Sequence, residues 1–302
     1  MIPERLSAYR SRIPLLDEVT EWSLLRQWSL SEVYRVTQAN GATRIIKWGG
    51  QEMAREASIY RQLVNPLQIK APYLFGYYEG ENSAVMIMED AGQHNLEQQP
   101  SRDHFLEAAR ELARLRQTAS ANLERNLSSH TLTSYTISAA KFLKLLDDLL
   151  RSPRLSGNRM LVRLQHILPA ALDSLYRTVP ITLVHHDYHA KNLLIQGNNI
   201  LPIDWSIAYL SPHLGDLYGL IGEAHNRCGG VPKEEVVSAF LEEAGPELSL
   251  EQLHWQVNIG GICWLVKTLR WLVYGGTGTI PGSEEWIPDL LQDLEDLAEQ
   301  IA

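Results

Sequence analysis

The sequence predicts an α+β chain in two lobes: a small N-terminal lobe with an antiparallel sheet and one helix, then a larger, mainly helical C-terminal lobe. Three observations carry this expectation. Up to Pro100 the chain holds short runs rich in β-branched and aromatic residues, two of them flanking an Asn-Gly turn. From Arg102 onward apolar residues recur at helical spacing. Between Thr182 and Asp204 one strand-rich stretch interrupts the helices. With 302 residues, 45% hydrophobic and 21% charged, the chain can bury a sizeable core, and disordered, collagen-like and coiled-coil readings fall away.

In order along the chain, Glu21–Arg26, Val33–Thr37 and Arg44–Trp48 read as strands. The turn Gln38-Ala39-Asn40-Gly41 pairs Val33–Thr37 with Thr43–Trp48 antiparallel. Gln51–Leu63 reads as a helix, because Met53, Ala57, Tyr60 and Val64 share a face, and Pro66 and Pro72 break the segment after it. Tyr73–Tyr78 and Ala84–Met88 read as two more strands. The polar stretch Asp90–Pro100, with Gly92 and Pro100, marks a boundary: lobes at 1–92 and 93–302, with a hinge at about 88–92. The second lobe offers helices at Arg102–Thr118, Ile137–Leu150, Arg159–Thr178, Glu234–Ala244, Leu250–Tyr274 and Pro288–Ile301. Gly275-Gly276-Thr277-Gly278 reads as a loop; it follows a helix rather than preceding one, so it is not a phosphate loop.

The net charge of −9, from 27 basic and 36 acidic residues, argues against broad binding to nucleic acid or an anionic membrane, and is compatible with a cationic substrate. Two cysteines, Cys228 and Cys263, form no CxxC and read as free thiols in a reducing compartment. The N-terminal run MIPERLSAYRSRIPLL is interrupted by Glu4, Arg5, Arg10 and Arg12, which excludes an uninterrupted signal-peptide core. Ile259–Tyr274 is broken by Lys267 and Arg270 and is too short to span a bilayer comfortably. These features predict a cytoplasmic protein.

The chemistry gathers in TLVHHDYHAKNLLIQGNNILPIDW. Asn192–Ile195 and Ile200–Ile203 are apolar runs flanking Gln196-Gly197-Asn198-Asn199, which is turn chemistry. A hairpin folded about Asn198 sets Asn192 opposite Asp204, a carboxamide oxygen beside a carboxylate, suited to a hard cation such as Mg²⁺. Asp187 lies in the loop entering the same hairpin, where a carboxylate near a metal-bound phosphate can orient and deprotonate an attacking hydroxyl. His185, His186 and His189 match no common zinc spacing.

His185-x-Asp187-x4-Asn192 followed by Ile203-Asp204-Trp205 and Gly215-Asp216-Leu217 resembles the aminoglycoside phosphotransferase and choline kinase-like family. Protein kinases in the narrow sense usually have lysine where His189 stands, and a glycine where Ser206 follows Trp205. The resemblance implies a protein kinase-like bilobal fold, Asp187 as catalytic base, and Asn192 and Asp204 as ligands of Mg²⁺. It implies that His185 braces the catalytic loop and that Asp216 anchors it. It also implies that Lys47, on the third strand, contacts the α- and β-phosphates of ATP. The following helix offers Glu52 and Glu56 as partner to Lys47, and the resemblance favours Glu56. A phosphate-covering loop is expected around Gln27–Glu32; it contains no glycine, and Ser29 and Ser31 are its candidate phosphate contacts. Val85–Asp90 would enter the hinge, with Glu89 and Ala91 binding adenine through their backbone. Met86 and Met88 read as core residues, as do Trp255, Trp264 and Trp271. Where the family often has Leu-Ala-x-Leu-His, this chain has Leu112-Ala113-Arg114-Leu115-Arg116.

The resulting expectation is an ATP-dependent phosphotransferase acting on a hydroxyl of a small molecule, such as an aminoglycoside or other antibiotic, choline or an amino sugar. The alternative is a non-catalytic pseudokinase that binds a nucleotide or a partner, which the glycine-free loop favours and the intact set Lys47, Asp187, Asn192 and Asp204 opposes.

Overall fold

The computed structural model describes residues 2–227 and 230–301. Cys228 lies outside the described residues; Cys263 is a buried free thiol. Two short helices, α1 (Glu4–Ser7) and α2 (Leu15–Glu18), precede β1 (Val19–Trp28), β2 (Ser31–Gln38) and β3 (Thr43–Gly50). With β4 (Leu74–Glu79) and β5 (Ser83–Glu89) they form an antiparallel sheet in the order β1-β2-β3-β5-β4. The Asn-Gly turn forms as expected: Gly41 takes φ 82°, and the Asn40 side chain accepts from the Ala42 N–H at 2.9 Å. Leu6, Tyr9, Ile13 and Leu16 close one face of the sheet against Tyr34, Val36, Ile46, Val85 and Ile87. Four-residue helices are too short to show a hydrophobic period, so α1 and α2 carry no signal in the sequence.

The segment expected as one α-helix over Gln51–Leu63 is a 3₁₀ turn (Gln51–Arg55), α3 (Glu56–Ile59) and a π turn (Tyr60–Val64). The widening occurs just before Pro66, where the Asn65 N–H bonds back to the Tyr60 carbonyl at 2.9 Å. Its buried Ala57, Ile59, Tyr60, Leu63 and Val64 pack with Met86 and Met88, and with Leu115, Leu183, Trp205 and Leu210 of the helical lobe. One apolar cluster thus ties the two halves together behind the cleft.

The second half contains α4 (Arg102–Asn126), α5 (Ser129–Tyr135), α6 (Ala139–Arg151) and α7 (Arg159–Thr178). Then come β6 (Thr182–Val184), β7 (Leu193–Gln196), β8 (Asn199–Pro202) and β9 (Tyr209–Ser211). The chain finishes with α8 (Gly215–Arg227), α9 (Lys233–Ala244), α10 (Leu250–Trp271), α11 (Thr277–Thr279) and α12 (Ile287–Gln300). Ser101, Ser128, Ser138, Asn158 and Ser249 each cap a helix start by accepting a backbone N–H, which is why those helices begin where they do. Helix α8 was missed because Gly215, Gly219 and Gly222 dilute its helix propensity. The expected loop at 275–278 is a kink between helical turns: a π turn (Leu272–Gly276) runs into α11, and Gly275, at φ 169°, ψ −31°, breaks the helical backbone there. Trp255, Trp264 and Trp271 pack against the core of α6, α7, α10 and α12. Among the described residues no helix is long and apolar enough to cross a membrane.

Candidate active site

The central strand pairings bring the first charged group to the cleft. Val33 opposes Lys47, and Lys47 opposes Met86. Lys47 Nζ lies 2.5 Å from Glu56 Oε2 and 2.7 Å from Asp204 Oδ1. Glu56 Oε1 also accepts the Trp205 backbone N–H at 3.2 Å, so one glutamate holds both the strand lysine and the segment after Asp204. All three side chains are buried or nearly so. Burial alone would lower the Lys47 pKa, but the Asp204 and Glu56 carboxylates outweigh it and keep the ammonium charged. Burial alone would raise Asp204; Lys47 overrides it and holds Asp204 well below the usual carboxylate range. Glu56 is the more deeply buried, and desolvation raises it despite the pull of Lys47.

The second part is the loop between β6 and β7. Asp216, at the start of α8, accepts the backbone N–H groups of His185 and His186 at 2.7 and 2.8 Å. His185 is fully buried, which pushes its pKa down and keeps the ring neutral. Its partners settle the tautomer: Nδ1 accepts the Asp187 N–H at 3.3 Å, and Nε2–H donates to the Ile203 carbonyl at 3.0 Å. The ring thereby fastens the Asp187 loop to the end of the β7–β8 hairpin. His186 takes φ 69°, a left-handed conformation, held by Asp216 and by the Trp264 indole N–H on its carbonyl at 3.1 Å.

Asp187 sits at the front of this loop. Asn192 Nδ2 donates to Asp187 Oδ2 at 2.7 Å and to its backbone carbonyl at 2.9 Å. His189 Nε2 lies 3.3 Å from Asp187 Oδ1, and His189 Nδ1 lies 3.5 Å from Glu223 Oε1. Burial would lower His189, but Glu223 and Asp187 together raise its pKa.

The hairpin register differs from expectation by one residue. Leu193 pairs with Pro202, and the Ile203 N–H donates to the Asn192 carbonyl at 2.9 Å, so Asn192 opposes Ile203. Asp204 lies just past the hairpin at φ 66°, and this left-handed turn, not direct pairing, accompanies its approach to Lys47. Ser206 Oγ adds a hydrogen bond to Asp204 Oδ1 at 3.1 Å.

The first hairpin is tighter than a phosphate-covering loop. Trp28 pairs directly with Ser31, leaving Ser29 and Leu30 as the turn. Ser31 is buried at the start of β2, and its hydroxyl accepts from the Trp28 indole. Ser29 is exposed, with its carbonyl accepting from Arg5 at 3.1 Å. At the hinge, Glu89 donates its N–H to the Tyr73 carbonyl at 2.8 Å, and Ala91 accepts on its carbonyl from Gln196 at 3.0 Å. Arg35 grips Asp90 with two hydrogen bonds, at 2.7 and 2.9 Å, and also donates to the Gly92 carbonyl at 2.8 Å.

Three residues at the site were missed from sequence. Glu223 belongs to the unrecognised α8, and Ser206 was noted only as a departure from a glycine. Arg26 reaches Asp204 Oδ2 at 3.4 Å through Nη1; it lies on a recognised strand, but its face depends on a bulge that no spacing reveals. Arg116, in place of the family's usual histidine, donates to the carbonyls of Pro212 and His213 at 2.7 and 2.8 Å, bracing the segment that leads to Asp216.

No curated protein matches the sequence. Solved structures with a similar fold include a thermostable mutant of aminoglycoside phosphotransferase APH(4)-Ia (TM-score 0.66, 14% identity, covering 98% of this chain and 99% of that one). They include aminoglycoside 2'-phosphotransferase-IIIa (TM-score 0.67, 14% identity, covering 99% of each chain). A choline/ethanolamine kinase family protein from Mesorhizobium loti has a TM-score of 0.67 and 15% identity, covering 99% of this chain and 95% of that one. At these identities the likeness establishes the kinase-like fold. The sequence itself matches the model of the phosphotransferase enzyme family over residues 25–251, which takes in Lys47, the Asp187 loop, Asp204 and Asp216. With well over half of its length matched, the chain belongs to the phosphotransferase enzyme family.

Proposed function

We propose that the chain is an ATP-dependent small-molecule kinase that moves the γ-phosphoryl group to a hydroxyl acceptor. The observation that carries this reading is the meeting of Lys47, Glu56 and Asp204 across the cleft, beside an Asp187–Asn192 pair on the adjoining loop. Similar folds are known with ADP and hygromycin B, and with GDP, which supports a nucleotide and a small-molecule acceptor in this reading.

In this reading residues 1–92 and 93–302 are the two lobes, and the adenine lies against the hinge at 88–92, near the backbone of Glu89 and Ala91. Lys47, held by Glu56, places a point charge on the phosphates. Ser29 retains a backbone role at the turn. The donor set suits a hard cation: Asp204 is held ionised by Lys47, and both Nδ2 bonds of Asn192 go to Asp187, which turns its carboxamide oxygen away. Asn192 and Asp204 would hold Mg²⁺, which neutralises charge on the transferring phosphoryl group. Asp187 Oδ1 or Oδ2 receives the acceptor hydroxyl's proton as the oxygen attacks in line. Asn192 fixes the Asp187 carboxylate from one side and His189 from the other, so it needs little reorientation.

Cationic hydroxyl compounds, such as aminoglycosides, choline and amino sugars, are the first acceptors to screen, in keeping with the net charge of −9. The test is Mg²⁺-dependent ATP turnover across such a panel, with GTP run in parallel and with Asp187→Asn as control. Turnover of an acceptor that falls about 10²- to 10⁴-fold in the variant supports the assignment. ATP binding with no acceptor turned over would favour the pseudokinase alternative.

A further inference from the structure

Arg26 stands on the cleft side of the sheet because of a bulge. Leu24 opposes Tyr34, which faces the N-terminal helices, yet Arg26 opposes Val33, which opposes Lys47. Directly opposed residues of an antiparallel sheet project to the same side. Regular alternation would put Arg26 on the Tyr34 face; the irregularity between Leu24 and Arg26 re-aims it to the Lys47 face. The guanidinium lies 5.1 Å from the Trp28 ring centroid, and Nη1 stands 3.4 Å from Asp204 Oδ2. That contact is longer than an ordinary charged hydrogen bond, and the Arg26 side chain is 37% exposed, so the pairing is loose and open to the cleft.

The neighbouring turn supplies little for a polyphosphate. It has two residues, Ser29 and Leu30, contains no glycine, and the Ser31 hydroxyl is taken by Trp28. We propose that Arg26 is a phosphate-binding residue of this cleft, resting loosely on Asp204, and that it exchanges that carboxylate for the outer phosphate oxygens of a bound nucleotide. The inference rests on the proposed nucleotide site and adds a second cation, from the edge strand, to Lys47. A planar guanidinium with a fork of donors suits phosphate oxygens, and stacking on Trp28 pre-organises it. The exchange would also free Asp204 Oδ2 for a cation that accompanies the nucleotide.

The test is calorimetric binding of three probes, the ATP analogue AMP-PNP with Mg²⁺, ADP and adenosine, to wild type, Arg26→Ala and Arg26→Lys. The expected result is an AMP-PNP affinity weakened about 10- to 100-fold in Arg26→Ala, with partial recovery in Arg26→Lys and no change for adenosine. Unchanged AMP-PNP binding in Arg26→Ala overturns the proposal. So does an equal loss for adenosine, which would mean that the substitution disturbs the sheet. If wild type binds none of the three probes, the nucleotide reading itself falls, and the role of Arg26 with it.

Discussion

Replacing Lys47 with methionine keeps most of the side-chain volume and removes the charge that balances Glu56 and Asp204. Their side chains are 1% and 12% exposed, so neither can be rehydrated without opening the cleft. Arg26 remains at 3.4 Å from Asp204 and screens it weakly, while Glu56 is left without a cation that the structure places beside it. Breaking a buried ion pair from one side costs about 3–5 kcal/mol. In urea unfolding at pH 7, Lys47→Met should lose that amount. The double variant Lys47→Met/Glu56→Gln should be more stable than Lys47→Met alone, because contacting residues of opposite charge are not additive. The pH dependence has a definite sign. Without Lys47, desolvation holds the folded-state pKa of Glu56 above its unfolded value of about 4.3. The folded state then binds the proton more tightly, so the deficit is absent below about pH 4 and grows as pH rises through the raised pKa. In wild type Asp204 behaves oppositely: its lowered pKa gives stability that is present above the unfolded aspartate value and is lost only as pH falls through the folded one. A Lys47→Met protein within about 1 kcal/mol of wild type at pH 7, or a deficit flat from about pH 4 to pH 8, would refute the claim that this lysine balances two buried carboxylates.

Other expectations test the supports of the site. Asp90→Asn leaves Arg35 with one weaker acceptor and should cost about 1–2 kcal/mol in denaturant unfolding. Burial would raise the Asp90 pKa, but the Arg35 hydrogen bonds lower it, so wild type should lose this contribution as pH falls through the folded value, below the usual aspartate range, and Asp90→Asn should not. Arg116→Ala strips donors from the Pro212 and His213 carbonyls and should cost about 2–4 kcal/mol, read as a lowered denaturation midpoint. Trp264→Phe keeps an aromatic ring but loses the N–H on the strained His186 carbonyl; it should cost about 1 kcal/mol in stability and, in the proposed kinase reaction, lower kcat with KM for the nucleotide unchanged.

Much of the fold was legible because its elements obey short-range rules. The strand–turn–strand at 33–48 follows from Asn40-Gly41, and the helix over Arg159–Thr178 from its apolar period. Elements that depend on distant partners were not legible. Strand β9 exists because Tyr209–Ser211 finds β6 after a long excursion, and its three residues carry no period of their own. The π turns at Tyr60–Val64 and Leu272–Gly276 adjust the hydrogen-bond ladder around a proline in one case and a glycine pair in the other, which a 3.6-residue period does not encode.

The chemistry-bearing side chains divide along the same line. Lys47, Glu56, Asp187, Asn192 and Asp204 could be singled out from order, residue type and the family resemblance, and the structure joins the first two with Asp204 in one cluster and Asp187 with Asn192 in another, the two linked through His185. What holds them in geometry could not. Asp204 reaches Lys47 from a left-handed turn that the sequence marks with no glycine, and His186 turns likewise. Each non-glycine residue in that region costs on the order of 1 kcal/mol, so each persists because something outside the loop compensates. For His186 the compensation is visible: two Asp216 oxygens take successive N–H groups, and Trp264 holds the carbonyl. For Asp204 it is the pull of Lys47, with Ser206 beside it. The restraints at His186 come from helices α8 and α10, and those at Asp204 from strand β3 and its own flank, so neither turn is held by the loop alone. A local reading therefore finds the reacting groups and misses their scaffolding, because the groups are specified by type while the scaffolding is specified by tertiary contact.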